Sequence, residues 1–437
     1  MARIIHVPFC YFPEAVGGTE IYVRDLARVQ TARGDQVMIL APADQPQSYQ
    51  HEGIPVERFT VSNDIDDVRD LYSSGKTNVT EFMAAVTHFR PDVVHVHGVG
   101  RGIVPAAMEA VKRTGAAIVL TYHTPTTTCI RGTLLQHGVH PCDGTLDAHR
   151  CTACTLTSHG VPVMMASAIA RAPVAASSLL RATHLRGRWI TALRMRELVS
   201  LRHEQTRRVL DMADRIVAPA QWVVELLQGL GVSPEKITLS PQGIRLPMLP
   251  QETREDRGGV RVVYVGRVEP SKGVHMLTRA LRAVASPSID LHIFGVVQND
   301  GHVRYRRDLH DDVARDHRVT LHHPVTPDQV VRTIAQYDVL AAPSQQLETG
   351  PLVVLEAFAA GLPVVGTRLG GIAELVEHEG NGLLVEPGSV TGWSEAFERL
   401  LHEPQLLERL RHRVQPPRSM EAVADDMTTI YRAAAAA

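Results

Sequence analysis

The 437-residue sequence predicts an α/β protein of two Rossmann-like, doubly wound domains facing a central cleft. Three observations lead there. The chain is too long for one ordinary hydrophobic core. Short apolar runs alternate with helical stretches, which implies parallel pairing with crossover helices. That alternation stops at a polar, Gly-ended stretch near residue 255 and begins again after it. Ligands of such sheets bind beyond the carboxyl ends of the strands, so the loops that follow the strands are where chemistry is expected.

Residues 3–8 read as the first buried strand, and Gly17-Gly18 as the turn into a helix that Gly34 stops. Residues 36–41, 92–97 and 117–122 supply further strands. The stretch 251–259, following Pro247 and Pro250, is the candidate linker. The second series comprises residues 260–266, 290–295, 319–322, 339–342 and 362–366. The expected organisation is therefore an N-terminal domain over 1–250, a second domain over 251–415, and a helical tail over 416–437. No internal sequence repeat relates the halves, and the tail carries no recognisable chemistry.

Composition narrows the function class. A formal charge of −2 argues against bulk nucleic-acid binding. No apolar run is long enough to span a bilayer, and the start reads as a strand rather than a signal peptide. Five cysteines, four of them clustered, do not resemble a secreted disulfide framework. The expectation is a cytoplasmic protein, with peripheral contact to the inner membrane face as an added option.

Three segments of the second domain converge on one chemistry. In Tyr264-Val265-Gly266-Arg267-Val268-Glu269-Pro270-Ser271-Lys272-Gly273, Gly266 permits a turn and two cations follow the strand end. A guanidinium grips two oxygens and an ammonium acts as a point charge, as a nucleotide diphosphate requires. In Glu348-Thr349-Gly350-Pro351-Leu352-Val353-Val354-Leu355-Glu356, Pro351 suits a first helical turn. The amides of Leu352 and Val353 there can receive phosphate. Glu348 precedes this helix, and Glu356 lies inside it, placed to accept bonds from ribose hydroxyls. In the third segment, residues 362–367 run into Gly370-Gly371, which would let backbone approach a ligand closely, and Glu374 is expected to open the next helix.

These strings, with Gly-Leu-Pro-Val-Val at 361–365 and Gly-Leu-Leu-Val-x-Pro-Gly at 382–388, closely resemble the family-4 group of retaining GT-B glycosyltransferases. The resemblance covers about 125 residues, Val265 to Gly388. It extends more loosely to Gly17-Gly18, to 92–97 and to Leu120-Thr121-Tyr122-His123. It implies that Arg267 and Lys272 bind and activate a leaving diphosphate, replacing a divalent metal. It also implies that Glu356 holds the ribose and that Glu348 contacts the transferred sugar. Gly17 and Gly18 would approach the donor phosphates, with Gly266 and Gly350 shaping the donor loops, and His123 would reach the sugar. The partners implied are a nucleoside-diphosphate sugar and a carbohydrate or lipid-linked acceptor, with no cofactor required for catalysis. Two departures bear on donor choice: Thr349-Gly350-Pro351 where relatives carry an aromatic-glycine pair, and Gln242-Gly243 where they carry Asn-Gly. A nucleotide-sugar epimerase, a glycan phosphorylase, or a silent sugar-nucleotide-binding protein remain as alternatives of similar architecture.

The remaining features belong to the N-terminal domain. His95 and His97 share one face of a strand, open either to a metal or to hydrogen bonding with neighbours, and no third ligand is in view. Gly98-x-Gly100-x-Gly102 lacks the third glycine of a dinucleotide fingerprint, because residue 103 is Ile. An insertion over about 124–200 carries Cys129, Cys142, Cys151 and Cys154. They are open to a structural zinc clasp, to two disulfides, or to unrelated thiols. His137, His140 or His149 could replace one sulfur. From 148 to 196 there is no acidic residue, while Arg150, Arg171, Arg181, Arg186, Arg188, Arg194 and Arg196 interleave with Met164-Met165 and Trp189. The stretch 163–196 therefore suits either a membrane surface or ordinary helices with solvated arginines.

Overall fold

The structure, a computed structural model, describes residues 1–14, 17–62, 76–77, 79–99, 105–138, 140–173, 187–246, 258–296, 302–403 and 405–436. It divides into two compact units, Met1–Ser240 with Ala424–Ala437, and Pro241–Val423.

In the first unit the strands are β1 (Arg3–Val7), β2 (Gln36–Ala43), β3 (Gln47–His51), β4 (Ile54–Ser62), β5 (Lys76–Thr77), β6 (Val93–Val96) and β7 (Ala117–Thr121). They are joined by β10 (Arg215–Ala218) and β11 (Ile237–Leu239), while β8 (Leu135–Gln136) and β9 (His140–Pro141) form a separate ribbon. The main sheet runs β11-β10-β7-β6-β1-β2-β4-β3, with β5 on β4. Its pairings are parallel except where β3 and β5 meet β4. Residues such as Ile4, Ile5, Ile39, Val94 and Leu120 are almost wholly buried. This is how strands covered on both faces by crossover helices read in sequence.

The second unit holds β12 (Val260–Arg267), β13 (Ile289–Val296), β14 (Val319–His322), β15 (Val339–Ala342), β16 (Val364–Thr367) and β17 (Gly382–Val385). Their order is β14-β13-β12-β15-β16-β17, parallel throughout. Adjacent residues of β12 feed opposite layers: Val262 and Tyr264 pack with Leu277, Leu281, Trp393 and Phe397. Val263 packs with Leu340, Val354, Phe358 and Ile372. The period of two along the strand is thus what separates the two helical layers.

The expected strands are present within a residue or two. β3, β4, β5, β8, β9, β10, β11 and β17 were not expected, because each is short or mixes polar and apolar residues without a clear alternation. The division falls between Ser240 and Pro241, and of the expected linker only residues 258 and 259 lie among those described. The last helix, Met420–Ala435, contributes its residues from Ala424 onward to the first unit.

In the insertion, the helices Ala148–Ser158, Val163–Arg171 and Arg188–Met212 bury Leu156, Ala166, Ala192, Met195 and Leu198 together. Gly100 and Gly102, and residues 174–186 with Arg181 and Arg186, lie outside the described residues.

Candidate functional site

In the second unit, three loops leave the carboxyl ends of β12, β15 and β16 and lock onto one another. Gly273 has φ +74°, and a Cβ there would lie 2.0 Å from the Pro343 carbonyl oxygen, so only glycine allows this contact. Gln345 donates its amide to the Ser271 carbonyl at 2.7 Å, and Gly371 donates to the Glu348 carbonyl at 2.7 Å. A Cβ on Gly371 would sit 2.7 Å from the Gly350 nitrogen. The closeness expected of Gly370-Gly371 is therefore used against the protein's own 348–350 backbone. Glu374 is exposed in the last turn of the six-residue helix Gly370–Leu375 and does not open it. Gly266 is held by a similar restriction, since a Cβ would lie 2.9 Å from the Tyr264 hydroxyl. That hydroxyl donates to the Arg267 carbonyl at 2.7 Å, fixing the strand end.

This arrangement brings the charged residues together. Lys272 Nζ lies 2.6 Å from Glu348 Oε1, with the two side chains 19% and 15% exposed. Ser344 Oγ donates to the same oxygen at 2.6 Å and Gln346 at 3.4 Å. Burial pushes the Glu348 carboxyl up, but Lys272, Ser344 and Arg267 outweigh it and hold the group below the usual carboxylate range. Arg267 is partly exposed and lies 3.3 Å from Glu269.

Pro351 caps the helix Leu352–Ala359, so Leu352 and Val353 occupy its first turn, where amides have no intrahelical acceptor. Glu356 lies in the same helix and is half-buried. Gly350 has φ +135°, and the place its Cβ would take is 3.4 Å from the Gln242 side chain. The two sequence departures, at 349–351 and at 242–243, are thus in contact, a relation not visible from their separation in the chain.

In the first unit Gly17 caps the helix Gly18–Ala32. Its amide donates to Glu20 Oε2 at 2.8 Å, so this nitrogen serves the protein itself. His123 follows β7 and is 6% exposed, against the Tyr22 ring at 4.7 Å. Burial lowers its pKa to about 3, so it is a neutral imidazole at pH 7.

His95 and His97 have a third companion, His6, which sequence reasoning missed. The signal was register: His6 on β1 pairs with His95 on β6. Ligand atoms of these three lie within 4.8 Å of one another, the metal-ligand grouping found among the described residues. Both ring nitrogens of each, however, already have protein partners. His6 meets His97 at 2.8 Å and Gln30 at 2.7 Å. His95 meets Tyr431 and Thr121, each at 2.7 Å, and the second nitrogen of His97 meets His123 at 3.0 Å. No ring nitrogen of the three is left to face a cation.

The four cysteines of the insertion line one small cavity, with Leu134, Leu135 and Arg150. A single zinc holds sulfurs at about 2.3 Å, hence roughly 3.8 Å apart. No three of these thiols lie within 4.8 Å of one another. Cys154 Sγ instead accepts from the His137 amide at 3.1 Å and from Arg131 at 3.4 Å. All four are unbridged. His137 and His149 line the neighbouring cavity with Asp143, rather than the one the thiols share.

Comparison with known proteins decides the lineage. The family model described as Glycosyltransferase Family 4 matches residues 16–246, more than half of the chain, and Glycosyl transferases group 1 matches residues 248–415. The chain belongs to this glycosyltransferase family. A D-inositol 3-phosphate glycosyltransferase of Pseudarthrobacter chlorophenolicus is 32% identical over 209 residues, 45% of this chain and 50% of the relative. Its counterpart in Rhodococcus erythropolis is 31% identical over 249 residues, 52% and 56% respectively. The chain thus spans about half the length of the curated relatives it matches. Among solved structures, the sucrose-phosphate synthase of Thermosynechococcus elongatus superimposes with a TM-score of 0.66 at 20% identity, over 98% of both chains. Anabaena HepE in complex with UDP and glucose does so at 0.63 and 17%, also over 98% of both. These likenesses show the fold, the GT-B arrangement of two Rossmann-like domains.

The Glu348–Lys272 pair makes a signed prediction. A carboxyl held below its ordinary range stabilises the fold above that range, and the contribution is lost as pH falls through the lowered value. In Lys272→Met, burial dominates and the Glu348 carboxyl rises. The variant should lose about 3–5 kcal/mol at pH 7, and the deficit should shrink as pH approaches about 5 and Glu348 takes a proton. Urea unfolding at the two pH values checks this; an equal deficit at both contradicts it. For the cysteines, protein purified without added zinc should carry under about 0.2 equivalents of metal, with all four thiols alkylated once unfolded. A full equivalent of zinc would show that the sulfurs close around an ion.

Proposed function

We propose that the chain transfers a sugar from a nucleoside-diphosphate donor to a carbohydrate or lipid-linked acceptor, with retention of anomeric configuration. The observation that carries this reading is the loop cluster of the second unit. Two cations, a buried carboxylate and the first turn of a helix are gathered at the carboxyl ends of adjacent parallel strands. The relatives named as inositol-phosphate glycosyltransferases and the neighbour holding UDP and glucose support it.

In this reading Arg267 and Lys272 neutralise the diphosphate as the bond to the sugar breaks, doing the work of a divalent ion. Lys272 has three N–H donors and gives one to Glu348, which leaves two for phosphate oxygens. The amides of Leu352 and Val353 add dipoles of the right sign. Glu356 accepts from the ribose hydroxyls, and Glu348, kept ionised by Lys272, accepts from hydroxyls of the sugar. Neutral His123 serves the transferred sugar as a hydrogen-bonding group rather than as a cation. The departing phosphate takes the acceptor proton, so the step needs no protein nucleophile. The Gln242–Gly350 contact is where donor choice is tuned.

The acceptor side of the reading involves the insertion. Val163, Met164, Met165, Trp189 and Leu193 are exposed, Met164 by 87% and Trp189 by 67%. Arg171 and Arg188 are exposed beside them in sequence. Other arginines of the stretch are structural: Arg194 is buried against Glu197, Arg150 pairs with Asp143, and Arg196 donates to the Ala172 carbonyl. No described helix is long and apolar enough to cross a membrane. We assign the exposed apolar and arginine side chains to contact with an anionic lipid surface, where a lipid-linked acceptor would reside.

Arg267→Ala should lower turnover by about 10²–10³ with an unchanged melting temperature; near-wild-type activity would refute the leaving-group role. Calorimetry with a panel of nucleoside diphosphates and their sugars identifies the donor, and binding to none of them would remove the reading. The chain should also float with anionic vesicles at low salt, release at high salt, and lose binding when Met164 and Trp189 are both replaced by Glu.

A further inference from the structure

We propose that Gln30 and Tyr431 are positioning residues that set the tautomer of His123 through an unbroken chain of buried hydrogen bonds. Its functional half rests on the sugar-binding role of His123 given above; its structural half does not.

The chain runs His123 Nε2 to His97 Nδ1 (3.0 Å), His97 Nε2 to His6 Nδ1 (2.8 Å), and His6 Nε2 to Gln30 Oε1 (2.7 Å). It continues from Gln30 Nε2 to the Tyr431 hydroxyl (3.2 Å), to His95 Nδ1 (2.7 Å), and from His95 Nε2 to Thr121 Oγ1 (2.7 Å). His6, His95, His97 and Gln30 are at most 2% exposed, so water does not interrupt it. A neutral imidazole has one donor and one acceptor nitrogen. Each N···N link holds one hydrogen, so fixing any ring fixes its neighbours.

Gln30 is the member whose two ends are chemically different, one acceptor and one donor. As placed, its oxygen accepts from His6 Nε2–H, and His6 Nδ1 then accepts from His97 Nε2–H. His97 Nδ1 accepts in turn from His123 Nε2–H. His123 is thereby the Nε2–H tautomer, with its lone pair on Nδ1. On the other arm the Gln30 amide donates to Tyr431, which donates to His95 Nδ1, and His95 Nε2–H donates to Thr121. Every link is satisfied with no proton missing or in excess. Turning the amide over would reverse every link and put the proton on His123 Nδ1. With the Tyr431 hydroxyl in place, delivered by the C-terminal helix, the amide can turn over only if the links of both arms reverse together. In the role given above, His123 then meets a sugar hydroxyl as an acceptor through Nδ1 rather than as a donor.

The test uses the full chain labelled with ¹⁵N-histidine and observed without substrate at neutral pH, His123 being identified by loss of its signals in His123→Ala. The wild type should show His123 protonated on Nε2. In Tyr431→Phe and Gln30→Met its two ring nitrogens should shift toward one another as tautomers mix. Gln30→Glu should keep the wild-type pattern, because a carboxylate at that place still accepts from His6. Nδ1–H in the wild type, or an unchanged pattern in both Tyr431→Phe and Gln30→Met, overturns the proposal. If Gln30→Met does not fold, Tyr431→Phe and Gln30→Glu decide it. In donor turnover, Tyr431→Phe should lower kcat at least about tenfold with little change in KM. Mixed tautomers with wild-type kcat would overturn the functional half. Failure of the transferase reading would show separately, as absence of donor binding in the calorimetric panel.

Discussion

Parallel strand pairing is the constraint on which the rest of this structure depends. A parallel strand cannot be followed directly by its partner; the chain must cross back over the sheet and re-enter from the same end. Every loop that leaves a strand therefore emerges along one edge. In the second unit that edge collects the segments after β12, β15 and β16, which are up to about a hundred residues apart in sequence. In the first unit the same rule sets β1, β6 and β7 side by side, so that His6 and His95 pair in register and His97 and His123 follow at the ends.

The loops gathered this way are locked by contacts that no side chain larger than hydrogen permits, at Gly273 and Gly371. Their rigidity matters electrostatically. A carboxylate as buried as Glu348 is costly without a partner, and Lys272 is held at 2.6 Å by a turn whose shape Gly273 dictates. The pair is internally balanced, so the cluster can present cationic N–H donors without an uncompensated buried charge. In the proposed role, that is what a site handling a diphosphate would require between turnovers.

The first unit solves a different problem, burying four imidazoles in one place. Desolvation lowers the pKa of each, His6 to about 4 and His123 to about 3, so the cluster is neutral at physiological pH. Neutral rings can be satisfied only by alternating donors and acceptors. Gln30 and Tyr431 carry that alternation from His6 to His95, and the helix Met420–Ala435 is thereby tied to the first sheet through Tyr431. A group of three histidines near one point is thus better explained by proton bookkeeping along a ladder than by a metal.

The sequence by itself determined the fold class and named the cationic residues of the candidate site. Buried parallel strands are written as continuous apolar runs, and Arg267, Lys272, Glu348, Pro351 and Glu356 lie within short segments whose spacing is local. Turn and capping chemistry acts over a few residues, so it survives in the linear order. What only the tertiary structure decided is every relation across long separations. These include the Lys272–Glu348 pair, the contact of Gln242 with Gly350, and the spacing of the four thiols. They also include the joining of His6, Gln30 and Tyr431 to the strand-end histidines. The tail illustrates the reason: Tyr431 lies 336 residues from His95, and its hydroxyl acquires a role only when packing delivers it to a ring nitrogen. Hydrogen bonding is short-ranged and directional, so a sequence can name the donors and acceptors, but only the folded register says which of them meet.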